Sequence, residues 1–313
     1  MKLGFLFAGQ GSQAVGMGKS LYDSYPEARS VFDNASLDFN LKDVCFNGPA
    51  ELLNQTAYTQ PCMVAVAIAA TRVLAQRGIV PDMAAGLSLG EYSALYAAGV
   101  FDEQTVLSIT RLRGQAMEQA VQGMGGKMAA VLGLDRNTLQ QACSDSSDLG
   151  VVQIANYNCP GQMVIGGQAA AVDKASQLAL ARGARRVLPL NVSGPFHTEL
   201  LAPAAQKLSF ALKNIVINQP RIPVVFNTTA REFGADETIA DLLTRQVMSP
   251  VYFEDSIGAM ERAGVTVMIE IGPGKVLSGF VRKTCPSVKV LTVEDAATLE
   301  AAVSMLHVLD GKE

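Results

Sequence analysis

Short apolar runs with the composition of strands alternate with helix-period segments along most of this chain. That alternation predicts an α/β fold, a mostly parallel sheet with helices on both faces. Residues 2–8, 82–87, 222–227, 265–271 and 288–293 read as strands. Residues 61–77, 89–98, 199–213, 236–247, 275–284 and 296–309 read as helices, and Asp102 is placed to cap another running to 119. Pro26 and Pro49 punctuate helical segments nearer the N-terminus. At Gly123, Gly125 and Gly126 the texture changes. The order becomes strand (127–133), helix (135–147), two strands (150–157 and 162–167) joined by Asn158-Cys159-Pro160-Gly161, helix (169–182) and strand (184–190). This βαββαβ order predicts a small ferredoxin-like subdomain over residues 123–193. It interrupts a discontinuous large domain formed by 1–122 and 194–313.

The 313 residues are enough for such a pair, and 49% of them are apolar, so a sizeable core can form. A net charge of −4 gives no global footprint for nucleic acid, and none is expected as a partner. The five cysteines are odd in number, and the N-terminus reads as a buried strand rather than a signal peptide. Reduced core cysteines and a cytoplasmic location are therefore expected. The apolar run from Cys62 to Ala70 is too short to cross a membrane and reads as a core helix. The only histidines are His197 and His307, with no clustered ligand set for zinc, so no metal site is expected.

The chemistry concentrates at Gly86-Leu87-Ser88-Leu89-Gly90, a G-x-S-x-G sequence between a strand and a helix. Such a turn presents the serine on a sharp bend, with small residues on either side to let the backbone turn. The helix start places N–H groups where an oxyanion would form. A serine nucleophile needs a base. His307 lies in the last helix, which leaves His197, in a loop between a strand and a helix. Arg113 falls on one helical face with Val106, Ile109 and Met117. An arginine on an apolar stripe needs an anion, either a buried Asp or Glu or the carboxylate of a substrate. Arg111 points to the other side and reads as solvated. Gly9-Gln10-Gly11-Ser12-Gln13-Ala14 matches a dinucleotide fingerprint but lacks the second strand with its acidic end, so it reads as a backbone stretch approaching the site. Gly272-Pro273-Gly274-Lys275 reads as a strand-to-helix turn.

Taken together, the stretches FAGQGSQ (7–13), GLSLGEYSALYAAG (86–99), RLRGQAM (111–117), NCPGQMVIGG (158–167), SGPFHTELLAPAA (193–205), RQVMSPV (245–251) and EIGPGKVLSG (270–279) resemble the malonyl-CoA:acyl carrier protein transacylases of type II fatty acid synthesis. The resemblance implies an α/β-hydrolase-like large domain with a ferredoxin-like insert. Ser88 would be acylated, with His197 as its base. Arg113 would bind the malonyl carboxylate, the N–H groups of Gln10 and Leu89 would form the oxyanion hole, and the carbonyl of Gln246 would orient His197. Phe196, beside the base, would narrow the acyl pocket. Malonyl-CoA and acyl carrier protein would be the partners, with coenzyme A leaving as a substrate fragment and no cofactor required. Two positions depart from the family's usual pattern: Leu87 stands where a histidine is usual and Ala8 where a proline is. The rival readings are a malonyl transferase of a polyketide pathway, a serine thioesterase or acyl hydrolase, and a non-catalytic interaction module. Carrier proteins are acidic, so Arg182, Arg185, Arg186, Lys275, Arg282 and Lys283 are candidates for a docking patch.

Overall fold

The computed structural model describes residues 1–311, arranged around two five-stranded sheets. In the first, β1 (Leu3–Phe7) lies between β2 (Met83–Gly86) and β9 (Val267–Ile271). β10 (Lys289–Val293) borders β9 and β7 (Val224–Val225) borders β2. Every pairing is parallel. Helices cover both faces, and all five residues of β1 and of β9 are buried accordingly. Glu270, mid-strand in β9, is tolerated there because its carboxylate accepts the N–H groups of Leu277 and Ser278 and the Ser278 hydroxyl.

The second sheet has the order β6 (Arg186–Pro189), β3 (Gly126–Leu132), β5 (Gln162–Gln168), β4 (Val152–Cys159) and β8 (Val251–Tyr252). Its first three contacts are antiparallel, whereas β4 and β8 run parallel. Val131, Leu139, Ile165 and Val172 form a separate core between this sheet and the helices α8 (Arg136–Ser144) and α9 (Ala169–Ala181).

Four short helices, α1 (Lys19–Ser24), α2 (Pro26–Asp33), α3 (Leu41–Asn47) and α4 (Ala50–Leu53), lead into α5 (Thr56–Gln76). By length and composition α5 alone among the described residues could cross a membrane, but 89% of its apolar window is buried inside the protein. It starts five residues before the expected position and carries Pro61 within it. A proline there cannot donate to the carbonyl of Ala57, four residues back. Arg111 Nη1 fills the vacancy at 2.9 Å. Arg111 is therefore buried, not solvated. It forms a two-pronged pair with Asp38 and stacks over Phe39 and Tyr58, at 4.9 and 4.3 Å from the ring centres.

The turn that carries Ser88 leads into α6 (Gly90–Ala97), and Asp102 caps α7 (Glu103–Val121) through its carboxylate on Thr105 N–H at 2.7 Å. After the second sheet come α10 (Ala202–Leu212), α11 (Ile239–Gln246), α12 (Phe253–Arg262), α13 (Val276–Thr284) and α14 (Ala296–Leu309). α12 and β8 were not anticipated. Strand 222–227 contracts to the two residues of β7.

Candidate active site

Ser88 sits between β2 and α6 with φ +52°, a left-handed backbone that a side-chain-bearing residue rarely adopts. The flanking glycines make this bend sterically feasible. A Cβ on Gly86 would come within 2.0 Å of the Gly90 carbonyl carbon, and one on Gly90 within 2.1 Å of the Phe7 carbonyl oxygen. The loop after β1 approaches just as closely, since a Cβ on Gly9 would lie 2.5 Å from the Leu87 carbonyl oxygen. That glycine stretch packs on the elbow, as the close-approach reading required.

Ser88 Oγ lies 2.6 Å from His197 Nε2, and His197 Nδ1 lies 2.8 Å from the backbone oxygen of Gln246. A carbonyl can only accept, so the ring proton belongs on Nδ1 and Nε2 faces the serine as an acceptor. His197 is 4% exposed. Burial pushes its pKa down to about 4, the Arg113 cation pushes the same way, and the Gln246 carbonyl opposes both. His197 is thus neutral at physiological pH, the state a base needs.

Arg113 is the largest fully buried side chain among the described residues, 1% exposed. Its Nη2 reaches Ser88 Oγ at 3.2 Å and Gln246 Oε1 at 2.9 Å, and its guanidinium lies over the Tyr92 ring. Its Nε has no hydrogen-bond partner, and it forms no ion pair among the described residues. The nearby carboxyl of Glu91 does not supply one. Burial raises its pKa to about 8, against the opposing pull of the Asn227 N–H and Arg113, so it is largely protonated at neutral pH. Arg113 therefore stands as a buried guanidinium with no carboxylate partner among the described residues.

The N–H groups of Gln10 and Leu89 find no acceptor within the protein among the described residues, and the Gln10 side chain is held by Thr56 Oγ1 at 3.0 Å. A cleft of about 640 Å³ between the two sheets is lined by Gln10, Ser88, Arg113, Phe196 and His197, together with Asn158 from β4. The expected residues Gln10, Ser88, Arg113, Phe196 and His197 thus converge on one place, with Leu89 next to Ser88 in the chain and Gln246 bonded behind it. Sequence reasoning missed two contributors. Asn227 binds the Ser88 N–H, and the side chain of Gln246 donates to the Ser88 carbonyl at 2.9 Å. The pentapeptide carries no trace of either, because they arrive from 139 and 158 residues away.

A family model described as an acyl transferase domain matches residues 4–306. The chain is 46% identical over 308 residues to the malonyl CoA-acyl carrier protein transacylase of Bacillus subtilis (strain 168), with 97% of each covered. It is 40% identical to the Escherichia coli (strain K12) protein of the same name, covering 96% of this chain and 98% of that one. Among solved structures, the malonyl CoA-acyl carrier protein transacylase from Clostridium perfringens superposes with a TM-score of 0.96 at 42% identity, over 99% of this chain and 98% of that one. A malonyl-transacylase solved in complex with a type II PKS acyl-carrier protein superposes at 0.94 with 37% identity, over 97% and 100% of the two chains.

Proposed function

This chain belongs to the acyl transferase domain family, and from that membership we propose that it carries malonyl from malonyl-CoA to the phosphopantetheine thiol of acyl carrier protein, through an ester on Ser88, for fatty acid elongation. His197 Nε2 takes the hydroxyl proton as Ser88 Oγ attacks the thioester carbonyl. The carbonyl oxygen becomes negative and is received by the N–H groups of Gln10 and Leu89. The C–S bond breaks, and coenzyme A departs with the proton from His197. The carrier's thiol then gives its proton to His197 and attacks the malonyl ester, and Ser88 recovers its proton as the new thioester leaves. Both thiols are substrate groups, so the cycle needs no cofactor. The Gln246 carbonyl takes the place of a triad carboxylate, fixing the tautomer of His197 without adding a charge. Phe196, 7% exposed at the cleft wall, limits bulk at the malonyl α-carbon.

The observation that carries this reading is the unneutralised guanidinium of Arg113, 3.2 Å from the nucleophile. A malonyl group on Ser88 would set its free carboxylate against that fork. The all-parallel sheet with its serine turn after β2 supports an α/β-hydrolase-like large domain from residues 1–122 and 194–313. The antiparallel order β6-β3-β5-β4 supports a ferredoxin-like subdomain over 123–193. The five cysteines are all free and buried, in keeping with a cytoplasmic enzyme.

Incubation with malonyl-CoA, followed by peptide mass spectrometry, should place a malonyl group on Ser88. Ser88→Ala should remain folded and unlabelled. A malonyl group mapped to any other residue overturns the assignment.

A further inference from the structure

Asn227 is fully buried two residues past the end of β7, and each of its polar groups is engaged. Its Oδ1 accepts the Ser88 N–H at 2.7 Å and its Nδ2 donates to the Gly86 carbonyl at 2.7 Å. Its own N–H donates to Glu91 Oε2 at 2.5 Å, and its carbonyl accepts the Tyr252 N–H at 2.9 Å. The orientation of the carboxamide is fixed by its partners, because a peptide N–H can only donate and a peptide carbonyl can only accept. One side chain therefore spans the elbow, gripping the residue two before the nucleophile and the nucleophile itself.

Ser88 precedes the first turn of α6, so its N–H has no helical acceptor, whereas its carbonyl already accepts the Glu91 N–H at 3.1 Å and Gln246 Nε2 at 2.9 Å. A left-handed serine persists only where its surroundings over-determine it. Asn227 supplies that constraint from the far side of β2. With the Ser88 N–H taken up, the Leu89 N–H is the one left to face a substrate oxygen, and Ser88 Oγ is turned toward His197.

We propose that Asn227 is a positioning residue for acyl transfer, its carboxamide clamping the serine turn in the geometry in which Ser88 Oγ meets His197. The proposal rests on the acylation reading above. It assigns Asn227 no contact with the acyl group, so its effect belongs to the rate of acylation and not to the binding of malonyl-CoA.

Asn227→Asp is close in shape and separates the two halves of the clamp. It keeps an acceptor for the Ser88 N–H. As a carboxylate it sets oxygen against the Gly86 carbonyl, and only as a carboxylic acid can it donate there. The titratable and charged groups around it are Glu91 and Tyr92 of α6, Arg113 of α7, His197 and Tyr252. The readout is the maximal rate of Ser88 malonylation by malonyl-CoA from about pH 7 down to about pH 5, a range in which Glu91 stays largely protonated and His197 neutral. The wild type should change little. The variant should be slower by at least roughly tenfold at the upper end and recover toward acid. The KM for malonyl-CoA should stay within about twofold of wild type throughout. Asn227→Ala loses both halves and should be slow at every pH, with an unaltered ratio of malonyl to acetyl transfer. Profiles parallel to wild type, or a raised KM at an unchanged maximal rate, overturn the proposal. So does unfolding of both variants, which would make Asn227 a residue of the fold alone. Failure of the wild type itself to label at Ser88 would instead strike the underlying reading.

Discussion

Arg111 and Arg113 lie two positions apart on α7 and both are buried, yet only Arg111 has a carboxylate. That difference gives the sharpest residue-scale prediction. Charge-assisted hydrogen bonds contribute about 1.5–3 kcal/mol each, so losing a two-pronged grip on malonyl should cost at least roughly a hundredfold in kcat/KM. Acetyl has no carboxylate to lose. Arg113→Ala should therefore reduce malonyl transfer while acetyl transfer holds or rises, and Arg113→Lys should restore malonyl transfer only in part. The measurement is the malonyl-to-acetyl ratio of kcat/KM in each protein. An equal fall for both acyl groups would make Arg113 a fold-stabilising residue. The sequence disclosed Arg113 because a cation on an apolar stripe is conspicuous. It concealed Arg111, whose environment is made by Asp38, Phe39, Tyr58 and the carbonyl freed by Pro61, all on other segments. Asn227 was hidden for the same reason, since nothing around it in the chain marks it.

Elements were legible where the chain carries its own start and stop signals. Asp102 accepts from Thr105 N–H as a cap should, and the βαββαβ stretch lies within a few residues of its expected boundaries. α12 was missed even though Phe253, Ile257 and Met260 form a buried stripe. It follows β8 without an intervening loop, and Tyr252 at its N-cap offers no capping side chain. Packing between elements was not legible at all. α7 crosses α5 at Gly114, where an added Cβ would come within 2.6 Å of the Thr56 carbonyl oxygen and 2.7 Å of Ala57 Cα. Those contacts are backbone, so relief requires the helices to move apart. Gly114→Ala should destabilise the protein by about 1–3 kcal/mol. That corresponds to a loss of about 2–4 °C in Tm for each kcal/mol, read by thermal unfolding. An unchanged Tm would mean that the start of α5 yields without cost.

At the scale of the molecule the cleft opens between the two sheets, where a carrier protein must present its thiol. Two of the expected docking residues are already neutralised, Arg182 by Asp145 and Lys275 by Glu294. Arg185 and Lys283 remain exposed and flank the same pair of turns at Gly133 and Gly161-Gln162. Arg185 packs on Gly133, Gly133 N–H bonds the Gly161 carbonyl, and Lys283 reaches the side chain of the adjoining Gln162. Arg185→Glu combined with Lys283→Glu should raise the KM for carrier protein by roughly an order of magnitude at low salt, and by less at high salt. Malonylation of Ser88 by malonyl-CoA should be untouched. If both half-reactions fall together, the two cations serve the fold.

The strand β8 has a consequence of another kind. It is only Val251–Tyr252, it lies far along the chain from the rest of its sheet, and it completes that sheet by pairing with β4. The stretch 123–193 is therefore not a self-contained cassette. Cut out at those ends, it would lose its outermost strand and lay bare a row of unpaired peptide groups on β4, the type of border along which separate molecules zip together. Exchange of this insert between relatives, by evolution or by an engineer, has to bring the 250s along, and a splice drawn on contiguous sequence alone would leave a piece behind.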